Sequence, residues 1–165
     1  MFLYSVIVTK GVDQIRKEIQ MSHGEPPLID KPHFICTTDL MILLISGVAN
    51  GNVGAFDPMG NEFKIKTNLG IGMLSSAVIE AKIPINEGLL NPSNPVWILH
   101  GGDHFTVGFF LKWTDEETKE MFHWNGLPPN RGMSVVEIKG KQTVTKVPTF
   151  EEFKKTHAEY KELPG

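Results

Sequence analysis

The chain has 165 residues, 41% apolar and 21% charged, with a formal charge of -3 and an isoelectric point near 6.1. That is the composition of an ordinary globular protein, long enough for one domain over residues 1–165 with its own core, and it argues against disorder. It offers no basic face for nucleic acid, no apolar run of the roughly eighteen residues a membrane span needs, and with Cys36 alone no internal disulfide.

Phe2 to Thr9 is apolar but lacks a basic leader and a small-residue cleavage site, so it does not read as a secretory signal. A single cysteine suits a reducing compartment, and a soluble protein of the cytoplasm or nucleus is expected. Val12, Ile15 and Ile19 then recur at helical spacing, which predicts a helix from the start of the chain to about Gln20, bent at Gly11. His23 to Pro32 reads as a loop. Thr37 and Thr38 are N-cap residues for a helix over Asp39 to Ser46, with Gly47 as its stop. Leu40 to Ile45 is apolar on every side, which predicts a buried helix. Ala49 to Asn61 is a glycine-rich loop, and Phe63-Lys-Ile-Lys66 alternates like a short strand. Gly72 to Lys82 reads as a further helix ended by Pro84.

Val96 to Leu111 forms two apolar strands joined by a Gly-Gly-Asp turn. A short helix over Asp115 to Met121, a strand over Phe122 to Trp124 and an Asn125-Gly126 turn are expected next. Ser134 to Ile138 and Thr143 to Val147 read as a second hairpin, and Thr149 to Glu162 as a charged, solvent-facing helix. The class is α+β, with helices first and a sheet after.

Chemistry concentrates at the Gly-Gly-Asp turn. His104 stands at its far lip, and Phe105, Val107 and Phe109 share the opposite face of its strand. A histidine has the pKa best suited to proton transfer near neutrality, and the small turn residues let another segment approach the ring. Satisfied structural histidines are the commoner case, and both readings stand. His100 and His104 flank Asp103, but Gly101-Gly102 disfavours the helix that would align them for zinc. His33 and His123 approach only by tertiary accident, so no metal and no cofactor is expected. Cys36 lies just ahead of a predicted helix, where the macrodipole favours a thiolate, and a Cys before a His is the papain-like order. Its apolar neighbours favour burial instead. Asn125 could orient His104 from a neighbouring strand, but Asn-Gly is also what a two-residue type I′ turn demands, and the turn is the favoured reading. Trp97, Trp113 and Trp124 read as core or rim aromatics.

Several segments together resemble the MINDY family of cysteine deubiquitinases, in the branch of its third and fourth human members. Phe2-Leu-Tyr-Ser-Val-Ile-Val-Thr-Lys-Gly11, Pro27-Leu-Ile-Asp30, Leu43-Leu-Ile-Ser-Gly-Val-Ala49, Pro95-Val-Trp97, His104-Phe-Thr-Val107 and Asn125-Gly-Leu127 match that branch collinearly. The resemblance implies a papain-like cysteine protease that cleaves polyubiquitin at isopeptide bonds, preferring lysine-48-linked chains. His104 carries over as the general base. The family's nucleophile lies in a Gly-Pro-Cys-type segment upstream of the matched region, as does its oxyanion donor, and Cys36 aligns with a part that holds no catalytic cysteine. The chain is therefore expected to be the C-terminal part of the catalytic domain, inactive alone, with Phe2, Leu3, Val6 and Ile7 packing on the missing part. A ubiquitin-binding or scaffold protein without activity is the alternative, and recruitment of Cys36 as nucleophile is a third possibility.

Overall fold

The computed structural model describes residues 1–19, 28–31, 33–56, 60–102, 104–112, 118–128 and 132–139, with Glu152 and Lys155. The chain opens with α1 (Phe2–Lys10) and α2 (Val12–Ile19), divided at Gly11. Gly11 has φ 90°, a conformation a side chain would oppose, so the predicted bend becomes a break. On α2, Ile15 and Ile19 are one turn apart and both buried, packed with Leu43 and Ala49. Val6, Ile7 and Leu28 cover this cluster, so two of the four α1 residues expected to await a partner are already in contact.

The described part of the expected His23–Pro32 loop includes a strand. β1 (Ile29–Asp30) pairs antiparallel with β2 (Ile35–Cys36), Ile29 opposite Cys36. Phe34, Ile35 and Cys36 are exposed on this small hairpin, so the burial expected for Cys36 does not occur. Two strands of two residues make too little sheet to bury either face.

The next helix, α3 (Thr38–Ser46), forms as predicted. Thr37 Oγ1 accepts from the Leu40 N–H, and Gly47 closes the helix in the left-handed region at φ 80°. Ile42 belongs to one buried cluster and Leu43 to the other, so α3 is the wall they share.

A five-stranded sheet follows: β3 (Gly72–Ser75), β4 (Val96–Gly101), β5 (His104–Phe109), β6 (Thr118–Asn125) and β7 (Gly132–Lys139), in that spatial order. β3 runs parallel to β4 and the others form an antiparallel meander. Of the helix expected over Gly72 to Lys82, only α4 (Ser76–Glu80) is helical. Met73 is fully buried, and Gly72 lies so close beneath Trp97 that a β-carbon would meet its ring at 2.6 Å. Pairing with β4 thus overrides any local helical preference. A short helix not predicted, α5 (Glu87–Leu90), is capped by Asn86 Oδ1, which accepts from the Gly88 N–H at 3.1 Å.

Phe63 to Lys66 alternates in burial as a strand would, but it is no strand: the Asn86 side chain takes up the Phe63 carbonyl in place of a ladder partner. Thr118 to Met121, expected as helix, is strand because it pairs with Val136 to Lys139. Asp103, Trp113, Thr143 to Val147 and most of the Thr149–Glu162 helix lie outside the described residues; Glu152 and Lys155 are helical. The main core gathers Ile42, Val53, Ile65, Leu69, Met73 and Leu89, with Ile98 and Phe105 of the sheet packed on it. Burying each large member contributes about 1.5–3 kcal/mol. No described helix is long and apolar enough to cross a membrane.

Candidate active site

The hairpin of β4 and β5 is built from one core-facing and one outward face. Gly101 pairs with His104 and Leu99 with Thr106, so the chain turns back tightly just after Gly101. Gly102 stands at φ 66°, as the first position of such a turn demands. Side chains alternate along β5, so Phe105 goes to the core while His104 and Thr106 lie on the opposite face. The histidine is therefore backed by a half-buried aromatic, one residue away, that packs on the core.

The outward face is a groove. Leu74 of β3 aligns with Leu99 of β4, which aligns with Thr106 of β5. These three, with Ile79 of α4 and His100 and His104, line an open space of about 280 Å³. His100 also stacks on Phe105, ring centroids 4.5 Å apart. The groove is largely apolar with an imidazole at its lip, a suitable place for an extended substrate backbone beside a proton carrier. Its β3 and α4 wall was concealed in the sequence by the helical reading of Gly72 to Lys82. The two glycines Gly70 and Gly72 and the serines Ser75 and Ser76 were the available signs that the helix starts late.

Asn125 comes to His104 across the sheet. The β5–β6 register pairs Val107 with Trp124, so the next residue of β6 falls on the histidine's face. His104 Nε2 is 3.0 Å from Asn125 Oδ1, and the same oxygen accepts the Leu127 N–H at 2.9 Å. Both residues are half-buried. The two-residue turn expected at Asn125-Gly126 does not form, because Asn125 is itself a residue of β6, paired with Gly132. Asn125 is also absent from the left-handed region that a type I′ turn requires. Its side chain, not its backbone freedom, is what the position uses.

The other polar candidates do not join this site. His33 Nδ1 lies 3.2 Å from Asp30 Oδ2 on the β1–β2 hairpin, and His123 Nδ1 lies 3.5 Å from Ser134 Oγ. Cys36 belongs to the two-stranded sheet, separate from the sheet that carries His104. Among the described residues no group of three His, Cys, Asp or Glu side chains is placed to hold a metal ion. Trp97 is half-buried and donates to the Leu90 carbonyl at 3.0 Å, whereas Trp124 is exposed.

Comparison with known proteins adds a family. A family model described as the conserved domain of the deubiquitinating enzyme MINDY-3/4 matches residues 1–157. Proteins named ubiquitin carboxyl-terminal hydrolase MINDY-3 from Bos taurus, Homo sapiens and Xenopus tropicalis are 34%, 33% and 32% identical over 115 residues. Each alignment covers 68% of this chain and 25% of the relative, so the match spans about a quarter of the relatives' length. No solved structure matches the chain.

Proposed function

The chain belongs to the MINDY-3/4 family, and we propose that it is part of a papain-like, thiol-dependent deubiquitinase that hydrolyses isopeptide bonds of polyubiquitin. The observation that carries this reading is His104, held by Asn125 at the lip of an apolar groove on a strand backed by the core. The preference for lysine-48-linked chains rests on the motif resemblance alone.

In this reaction His104 takes the proton of a thiol, and the thiolate attacks the isopeptide carbonyl carbon. The tetrahedral intermediate collapses with cleavage of the C–N bond, and His104 returns the proton to the departing lysine amine. Water, giving its proton to His104, then attacks the thioester and releases the carboxylate and the thiol. Cys36 does not serve as that thiol, since it lies on a separate small sheet and aligns with no catalytic cysteine of the family. The thiol and the oxyanion donors come from outside residues 1–165.

An electrophilic ubiquitin probe tests this directly on the 165-residue chain. Neither the wild type nor Cys36→Ala should form a covalent adduct. An adduct that forms with the wild type and is lost in Cys36→Ala would make Cys36 the nucleophile and overturn the assignment of the thiol elsewhere.

A further inference from the structure

We infer that α1 is a hinged strap that releases as one unit while the rest of the fold stays closed, with Lys10 as its lock. α1 has nine residues, none of them buried, and no side chain caps its first turn. Its apolar hold on the protein is Val6 and Ile7, half-buried against Ile15, Ile19, Leu43 and Ala49. The polar hold is concentrated at its far end. Lys10 Nζ meets Glu18 Oε1 at 2.7 Å and donates to the Gly47 carbonyl at the C-terminus of α3. Both places favour a cation, one being a carboxylate and the other the negative end of a helix. The two side chains are only 24% and 13% exposed, so water weakens their pairing less than on an open surface.

The joint lies next to the lock. Gly11 stands at φ 90°, and nothing lies within 4 Å of where its β-carbon would be. No neighbour on that side resists a swing of the backbone, and a residue without a side chain accepts both the closed and the open angle. Once Lys10 lets go, nine residues are too few to persist as a helix in water. Release therefore unwinds α1 and frees its amides. The other two helices keep their own buried residues, Ile15 and Ile19 on α2 and Leu40, Ile42 and Leu43 on α3. The opening bares the cluster of Ile15, Ile19, Leu43 and Ala49 on the side that Val6 and Ile7 had covered. No residue of α1 lines the His104 groove, so the strap and the deubiquitinase reading stand or fall separately.

Amide hydrogen exchange of the 165-residue chain, with and without low urea, tests the release on the wild type, Lys10→Met and Ile42→Val. In the wild type the amides from Val6 to Gly11 should share one opening and be less protected than those of α3. They should also depend less on urea, since a partial opening exposes less surface. Lys10→Met removes a charged hydrogen-bonding group and should speed α1 exchange by roughly 10- to 100-fold. Ile42→Val acts only on the core, which stays intact when the strap opens. It should speed α3 exchange about two- to tenfold and leave α1 unchanged. Equal acceleration of α1 and α3 in Ile42→Val would mean that α1 opens only when the whole protein unfolds, and would overturn the proposal. So would protection that falls away residue by residue from Gly11 to Val6, the mark of fraying, or an α1 that Lys10→Met leaves unchanged. If Lys10→Met does not fold, the wild type and Ile42→Val still decide between release and global unfolding.

Discussion

Helices α1 and α3 each have nine residues and are apolar around most of their circumference, yet α3 buries Leu40, Ile42 and Leu43 while α1 buries nothing. The difference lies in what surrounds them. α3 is fixed at both ends, by the Thr37 cap and by Gly47 in the left-handed region, and two core clusters meet across it. α1 offers Val6 and Ile7 to one cluster and turns Phe2, Tyr4 and Val8 outward, where they form an exposed apolar surface. Apolarity makes a helix eager for contact, but it does not supply the partner.

Polar anchoring does for α1 what burial does for α3. Lys10, in its last turn, pairs with Glu18 of α2 at 2.7 Å and donates to the Gly47 carbonyl at the end of α3. Glu18 also accepts the Ala49 N–H at 2.7 Å and the Gln14 side chain at 3.0 Å. One carboxylate thus ties α1 and α2 to the segment that follows α3. Burial works to raise its pKa, but the bonds from Lys10, Ala49 and Gln14 outweigh it and hold Glu18 below the ordinary 4.5.

The contrast is sharpest under truncation. Ile42→Ala on α3 should cost about 2–5 kcal/mol in urea unfolding, because a fully buried side chain leaves a cavity. Val8→Ala on α1 should stay within about 0.5 kcal/mol in the same measurement. Equal losses would mean that α1 is as well seated as α3. A smaller effect tests the anchor. Glu18→Gln should cost about 1–3 kcal/mol near neutral pH. A carboxyl whose folded pKa is lowered stabilises above its unfolded value and loses that contribution as pH falls through the folded one. The gap between wild type and Glu18→Gln should therefore be full above pH 4.5 and close below it. Asp39 acts in the opposite sense. Burial raises its pKa against the lowering effect of the Gly51 N–H, so its contribution is present below 3.8 and fades as pH rises through the folded value. Both proteins in the comparison contain Asp39, which removes its effect from the gap. A gap that did not change with pH would separate the anchor from the charge of Glu18.

The same contrast explains what could be read before the fold was known. The bend at Gly11, the caps of α3 and the β4–β5 turn all depend on residues adjacent in sequence, and each was legible. β3 was not, because Gly72 to Ser75 becomes a strand only through β4, more than twenty residues further on. The short strands at Ile29 and Ile35 likewise owe their existence to each other. At the candidate site, His104 could be singled out from its place beside the turn. Its partner was concealed, since Asn125-Gly126 satisfies a turn pattern just as well. Only the register of Val107 against Trp124 brings the Asn125 side chain to the imidazole.

For the proposed deubiquitinase, the most direct measurement is cleavage of lysine-48-linked diubiquitin by a protein that unites residues 1–165 with the proposed thiol, comparing the wild type with His104→Gln. Removal of the proposed general base should lower kcat by about 10²- to 10⁴-fold while ubiquitin binding persists. Cleavage at an undiminished rate would show that another group moves the proton, and that the His104 groove is not the active site.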